Sequence, residues 1–155
     1  ERVKESLFAM IQDKLDGAVV LDLFAGSGNL GIEAISQGAK EAILVDYNIK
    51  AIKVIEKNVN NLNIEPFAFI VHSDYIKAIE KYKDIKFDII FLDPPYKTDF
   101  IGKSIKKITE YDMLSDSGII VCESSMIDKI VYPSIYSVVK DRKYGDKYVV
   151  ILKKM

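Results

Sequence analysis

A doubly wound α/β domain on a mostly parallel sheet is the fold this sequence predicts. Short apolar runs rich in Ile, Val and Leu alternate with stretches of helical periodicity, and only four residues separate the last two runs. Continuous apolar strands belong to parallel sheets covered by helices on both faces. Four residues are too few for a helical crossover, so the chain must finish in an antiparallel hairpin. With 155 residues, nearly half of them apolar, and a formal charge of −1, the chain reads as one domain over residues 1–155 with room for a substantial core.

The elements follow in order. Leu7, Phe8, Met10, Ile11 and Leu15 recur at helical spacing and predict an amphipathic helix over residues 2–15. Residues 18–23 form the first strand, and residues 29–37 a helix stopped by Gly38. Residues 42–46 are the second strand, followed by a helix over 49–60 with Ile52, Ile55, Val59 and Leu62 on one side. A third strand over 67–71 precedes a helix over 75–82. Phe87–Leu92 is the fourth strand, and a helix over 100–111 follows, capped by Thr98 or Asp99. The turn Ser115-Asp116-Ser117-Gly118 introduces a fifth strand over 119–123. Residues 135–142 and 147–153 make the hairpin around Lys143-Tyr144-Gly145-Asp146. There is no internal repeat, low-complexity tract or linker.

Several classes are excluded. No apolar run approaches the roughly 20 residues a membrane span needs, and no signal peptide is visible. The single cysteine, Cys122, cannot form an internal disulfide, which points to a reducing cytoplasm. It sits in an apolar run and reads as a core residue. His72, the lone histidine, has no companion for a metal site, so no metal is expected. The near-zero charge offers no general attraction to nucleic acid. The chain opens at Glu1 directly into a helical pattern, so further N-terminal residues are expected upstream. A monomer is expected.

Two motifs carry chemistry. The fourth strand ends in Asp93-Pro94-Pro95-Tyr96. Each proline fixes its own φ and lacks an N–H, and Asp93, standing before Pro94, is biased to extended geometry. The corner therefore offers carbonyls, one carboxylate and one ring with little freedom, which suits the amino edge of a flat base. The first strand ends in Leu21-Asp22-Leu23-Phe24-Ala25-Gly26-Ser27-Gly28, and the run Gly26 to Gly31 satisfies G-x-G-x-x-G, with Asp46 about 20 residues on. That pattern also fits a nicotinamide dehydrogenase. Asp22 argues against it, because a carboxylate there repels a pyrophosphate but pairs with an ammonium. No hydride-handling constellation follows either. S-adenosyl-L-methionine, with an ammonium, a sulfonium and no phosphate, fits better.

Ligands of open α/β sheets sit beyond the carboxyl ends of the strands. Asp22, Asp46, Asp74 and Asp93 stand at four consecutive strand tips and should converge there. Asp22 is expected near the methionine ammonium, and Asp46 across the ribose hydroxyls. Asp74 would take the adenine amino group, with Tyr47 and Tyr75 as ring neighbours. Phe24, Ala25, Ser27 and Asn48 complete the expected cofactor contacts. Gly26 and Gly28 would let the backbone approach the ligand without a Cβ in the way.

With these residues placed, the chain resembles the class I S-adenosylmethionine-dependent methyltransferases of the amino-methylating D/N-P-P-Y/F group. Within it, the chain is similar to the bacterial small-subunit ribosomal RNA guanine-N(2) methyltransferases, the RsmD family. Arg2-Val3-Lys4-Glu5-Ser6-Leu7-Phe8, the glycine motif, Asp93-Pro94-Pro95-Tyr96 and Arg142-Lys143-Tyr144-Gly145-Asp146 carry the likeness across nearly the whole chain. It implies a Rossmann-like methyltransferase fold of seven strands in the order 3-2-1-4-5-7-6. It also implies a further basic N-terminal segment next to cofactor and RNA. The implied activity is methyl transfer to a guanine amino group of 16S ribosomal RNA, free or in an assembling small subunit.

Asp93 and the Pro94 carbonyl would accept the two amino hydrogens, and Tyr96 would stack on the base. Lys97, Arg142 and Tyr144 are the expected substrate contacts; Lys103, Lys106, Lys107, Lys140, Lys143 and Lys147 are further candidates for phosphate. An adenine amino-methyltransferase is the nearest rival, since the same corner grips adenine. A protein-glutamine methyltransferase usually has asparagine where Asp93 stands. A cofactor-binding module without catalysis is the rival from another class.

Overall fold

The computed structural model describes residues 2–125 and 130–155. Seven strands form one sheet in the order β3-β2-β1-β4-β5-β7-β6, as the family likeness implies. The strands are β1 Val19–Asp22, β2 Glu41–Asp46, β3 Ala68–His72, β4 Phe87–Leu92, β5 Leu114–Ser125, β6 Tyr136–Tyr144 and β7 Lys147–Lys154. The first five run parallel, while β7 is antiparallel to both β5 and β6. The helices are α1 Arg2–Met10, α2 Gln12–Leu15, α3 Asn29–Ser36, α4 Ile49–Leu62, α5 Tyr75–Lys81 and α6 Phe100–Glu110.

Side chains alternate across a strand, and the two faces have separate cores. Val20, Leu44, Phe91, Val121 and Val149 pack with Leu7 and Phe8 of α1, Ile11 just before α2, Ala34 of α3 and Ile55 of α4. Leu21, Ile43, Ile90, Cys122 and Val150 face α5 and α6 through Ala78, Ile79, Ile101 and Ile105. The Cys122 thiol is fully buried, as expected of a core residue. Among the described residues, no helix is long and apolar enough to cross a membrane.

Three local features differ from expectation. The N-terminal helix breaks at Ile11, whose ψ of 11° interrupts the α-helical run before α2. A 3-10 turn, Glu65–Phe67, occupies what reads as the start of the third strand, with Pro66 in its first turn. The supposed turn at Ser115-Asp116-Ser117-Gly118 lies inside β5. The pairing there steps from Phe87↔Leu114 to Ile89↔Ile119, so the four residues bulge out of an otherwise continuous strand. Asp88 stabilises this bulge and the neighbouring strand together: its Oδ1 accepts from Ser115 Oγ at 2.7 Å and its Oδ2 from the Val19 N–H at 2.9 Å. A Cβ on Gly118 would stand 2.9 Å from the Phe87 carbonyl, so glycine is required.

Candidate active site

The carboxyl ends of β1, β2 and β4 and the residues after β3 surround a cleft of about 720 Å³, within the range of small-molecule sites. Its floor is aromatic. Phe24 lies 5.2 Å from Tyr75 and 6.0 Å from Phe100, and the Tyr75 and Phe100 centroids are 4.6 Å apart. Asp46, Tyr47, Asn48 and Asp74 form one wall, and Asp93, Pro94 and Pro95 the other. The structure therefore brings together three of the four strand-tip acids.

Asp46 is held from two sides. Its Oδ2 accepts from the Gly26 N–H at 2.9 Å and its Oδ1 from the Asn48 N–H at 2.8 Å. A carboxylate oxygen has two lone pairs, so both atoms retain capacity for a ligand hydroxyl. Asn48 caps α4 by accepting from the Lys50 N–H. His72 makes a 2.9 Å hydrogen bond between Nε2 and the Tyr47 carbonyl, which anchors the backbone beneath an otherwise exposed tyrosine. Asp74 caps α5, with Oδ2 accepting from the N–H groups of Ile76 and Lys77. That leaves Oδ1 outside the cap.

Asp22 does not itself line the cleft. It is 1% exposed and sits under the glycine loop. Its Oδ2 accepts from the Gly31 N–H at 3.1 Å, while Oδ1 is buried with no hydrogen-bond partner. Burial, with the nearby Asp93 and Glu123 carboxylates adding to it, pushes its carboxyl up from 3.8 to about 7. Asp22 thus lies close enough to Asp93 for their charges to interact.

The loop residues also divide by role. Gly26 reaches the cleft with a φ of 61°. Gly28 does not: it is the N-cap of α3, and a Cβ there would meet Ile32 Cδ1 at 2.8 Å. Its φ of 88° is the left-handed region that favours glycine. Ala25 is buried and donates its N–H to the Val45 carbonyl, and Ser27 turns outward, its carbonyl accepting from Asn58 Nδ2.

After the prolines, Thr98 Oγ1 donates to the Pro95 carbonyl at 2.9 Å, and Lys97 adopts a φ of 60°. Tyr96, just before this left-handed residue, is exposed. Thr98 fastens the corner while Asp99, lacking a side-chain cap bond, precedes α6. Tyr144 is half-buried against the core and its hydroxyl lies 2.6 Å from Ser6 Oγ, so it ties the hairpin to α1. Arg142 is exposed, and its Nη1 donates to the Asp141 carbonyl. Lys103, Lys107 and Lys147 pair with Asp99, Glu80 and Glu123, respectively. Sequence reading missed Phe100, Leu23 and Ser73 as cleft residues; Phe100 carried a signal, as an aromatic in the first turn of the helix behind the proline corner.

The family model described as "Conserved hypothetical protein 95" matches residues 1–153. The chain belongs to this family. The protein YlbH of Bacillus subtilis (strain 168) is 42% identical over 125 residues, 79% of this chain and 68% of that protein. Ribosomal RNA small subunit methyltransferase D of Buchnera aphidicola subsp. Acyrthosiphon pisum (strain APS) is 30% identical over 141 residues, covering 91% of this chain and 73% of that one. The solved structure of Escherichia coli yhhF superposes with a TM-score of 0.92 at 27% identity, covering 99% of this chain and 86% of that one. The resemblance drawn from the motifs is borne out.

Proposed function

We propose that this chain transfers a methyl group from S-adenosyl-L-methionine to the exocyclic amino group of a guanine in small-subunit ribosomal RNA. Ribosomal RNA methylation is the broader activity, supported by relatives that carry that name. The shared cleft, with Asp46 and Gly26 on one side and the Asp93 corner on the other, supports transfer to an amino group, and the family resemblance supplies guanine as the base.

The residues fit the cofactor. Asp46, with its remaining lone pairs, would hold the ribose hydroxyls, the aromatic floor and Tyr47 would flank the adenine, and Asp74 Oδ1 would accept from its amino group. Asp22 primarily holds the glycine loop; its unpartnered Oδ1 is a buried acceptor that suits a cation. When bound, the cofactor supplies an electrophilic methyl on a sulfonium whose leaving group is a neutral thioether.

The chain's own work is mostly positioning. A guanine amino nitrogen is a poor nucleophile because its lone pair is delocalised into the ring. The Asp93 carboxylate and Pro94 carbonyl accept its two hydrogens and turn that lone pair out of the plane. The same acceptors stabilise the positive charge that develops on nitrogen, and Asp93 or water takes the proton it sheds. Tyr96 stacks on the base, a contact worth roughly 1–3 kcal/mol. Lys97 and Arg142 meet phosphates, and Tyr144 positions the hairpin that presents Arg142. The protein acts as a monomer in the cytoplasm.

Labelled methyl transfer to small-subunit particles lacking the modification, followed by nucleoside identification, tests this reading. Methylated guanosine is expected, and Asp93→Ala should abolish it. Methylated adenosine, or full activity in the alanine variant, would overturn it.

A further inference from the structure

Beside the proline corner, on the side away from the aromatic floor, lies a small cavity of about 70 Å³. Asp93, Glu123, Lys147, Lys4 and Asn29 line it. Register explains the gathering. Leu92 pairs with Cys122, so Asp93 and Glu123 come next on adjacent parallel strands. Phe91, Val121 and Val149 share one core, and the residues two steps along, Asp93, Glu123 and Lys147, emerge on that same face. Glu123 has only 5% of its side chain exposed, and Lys147 Nζ lies 3.0 Å from its Oε2.

We propose that Lys147, held by Glu123, is a positioning residue that keeps the Asp93 carboxylate ionised and fixed in place. The idea rests on the amino-methylating reading of the corner. A protonated Asp93 would present a donor where an acceptor is needed, and one amino hydrogen would go unmatched.

Two carboxylates crowd Asp93 on this face: Asp22 from β1 and Glu123 from β5. Lys147 from β7 and Lys4 from α1 are the cations, and Lys4 also pairs with Glu33 of α3 at 3.5 Å. Asn29, at the start of α3, is uncharged. Across the cleft stand Asp46 and Asp74. Burial pulls the Lys147 ammonium down, but the Glu123 hydrogen bond and the Asp93, Glu123 and Tyr96 charges outweigh it and leave it raised. Charge interactions are mutual, so the cation that Asp93 favours in turn favours ionised Asp93.

Carbon-13 carboxyl NMR titration of Asp93, assigned with Asp93→Asn, tests the proposal in the whole chain. Lys147→Met should raise the Asp93 midpoint by about one unit, and Lys147→Arg should restore it. Glu123→Gln removes an anion beside Asp93 while its amide oxygen still accepts from Lys147, so it should move the midpoint the other way. In methylation assays the acid limb of kcat should follow these shifts with KM little changed. An unmoved midpoint in Lys147→Met, or movement in the same direction in Lys147→Met and Glu123→Gln, would overturn the idea. Absence of thermal stabilisation by S-adenosylhomocysteine in the unmodified chain would instead sink the reading of the cleft, leaving the titration result to stand or fall alone.

Discussion

Replacing Asp22 with asparagine should stabilise the protein at alkaline pH far more than at acid pH. The carboxyl is fully buried and its ionisation is pushed from 3.8 up to about 7, first by burial and then by Asp93 and Glu123. In the unfolded chain it loses its proton near the ordinary value. Between those limits the unfolded state binds fewer protons than the folded one, so stability falls as pH rises, and the full cost is present above the folded value. A shift of roughly three units corresponds to about 4 kcal/mol. Asparagine cannot ionise, yet it keeps an oxygen for the Gly31 N–H. Any cost of burying its amide is the same at every pH and cancels in the comparison. Urea unfolding of both proteins at pH 4 and pH 8 measures the effect. The variant should gain about 4 kcal/mol on the parent between the two conditions. Parallel pH dependence would refute the buried, largely uncompensated carboxyl.

Three further outcomes are expected. Gly31→Ala places a Cβ 2.1 Å from Cδ2 of the fully buried Leu44, so denaturant unfolding should show a loss of about 1–3 kcal/mol. Tyr144→Phe and Ser6→Ala each break the 2.6 Å bond between hairpin and α1; each should cost about 1 kcal/mol, and the double variant should cost less than the sum. Cys122 should resist disulfide-exchange reagents in the folded chain and react only after unfolding, because burial removes access and pushes its thiol up to about 12.

The regular part of the fold was legible because each strand is an unbroken apolar run; β4 matches its expected bounds at both ends, and the hairpin matches closely. The β5 bulge was not, since its polar residues look like a turn and their partner, Asp88, is 27 positions away in sequence. At the site, Asp46, Asp74 and Asp93 converge as the strand-tip rule requires. Asp22 shares the sheet face of Asp46 and Asp93 and lies near Asp93, but α3 covers it. It lies two residues beyond Val20, on the face covered by α3, where Gly31 has no Cβ and leaves space for its carboxylate. Tyr144 was expected at the RNA from the family likeness; its bond to Ser6, 138 positions away in sequence, is a contact that only folding brings about.

A crystal structure with S-adenosylhomocysteine tests the shared cleft most directly. The ribose should bridge Asp46, the adenine should lie by Tyr47 over the Phe24–Tyr75–Phe100 floor, and the sulfur should face Asp93 and Pro94. Ligand bound elsewhere on the surface, or with its sulfur turned from the proline corner, would contradict that placement.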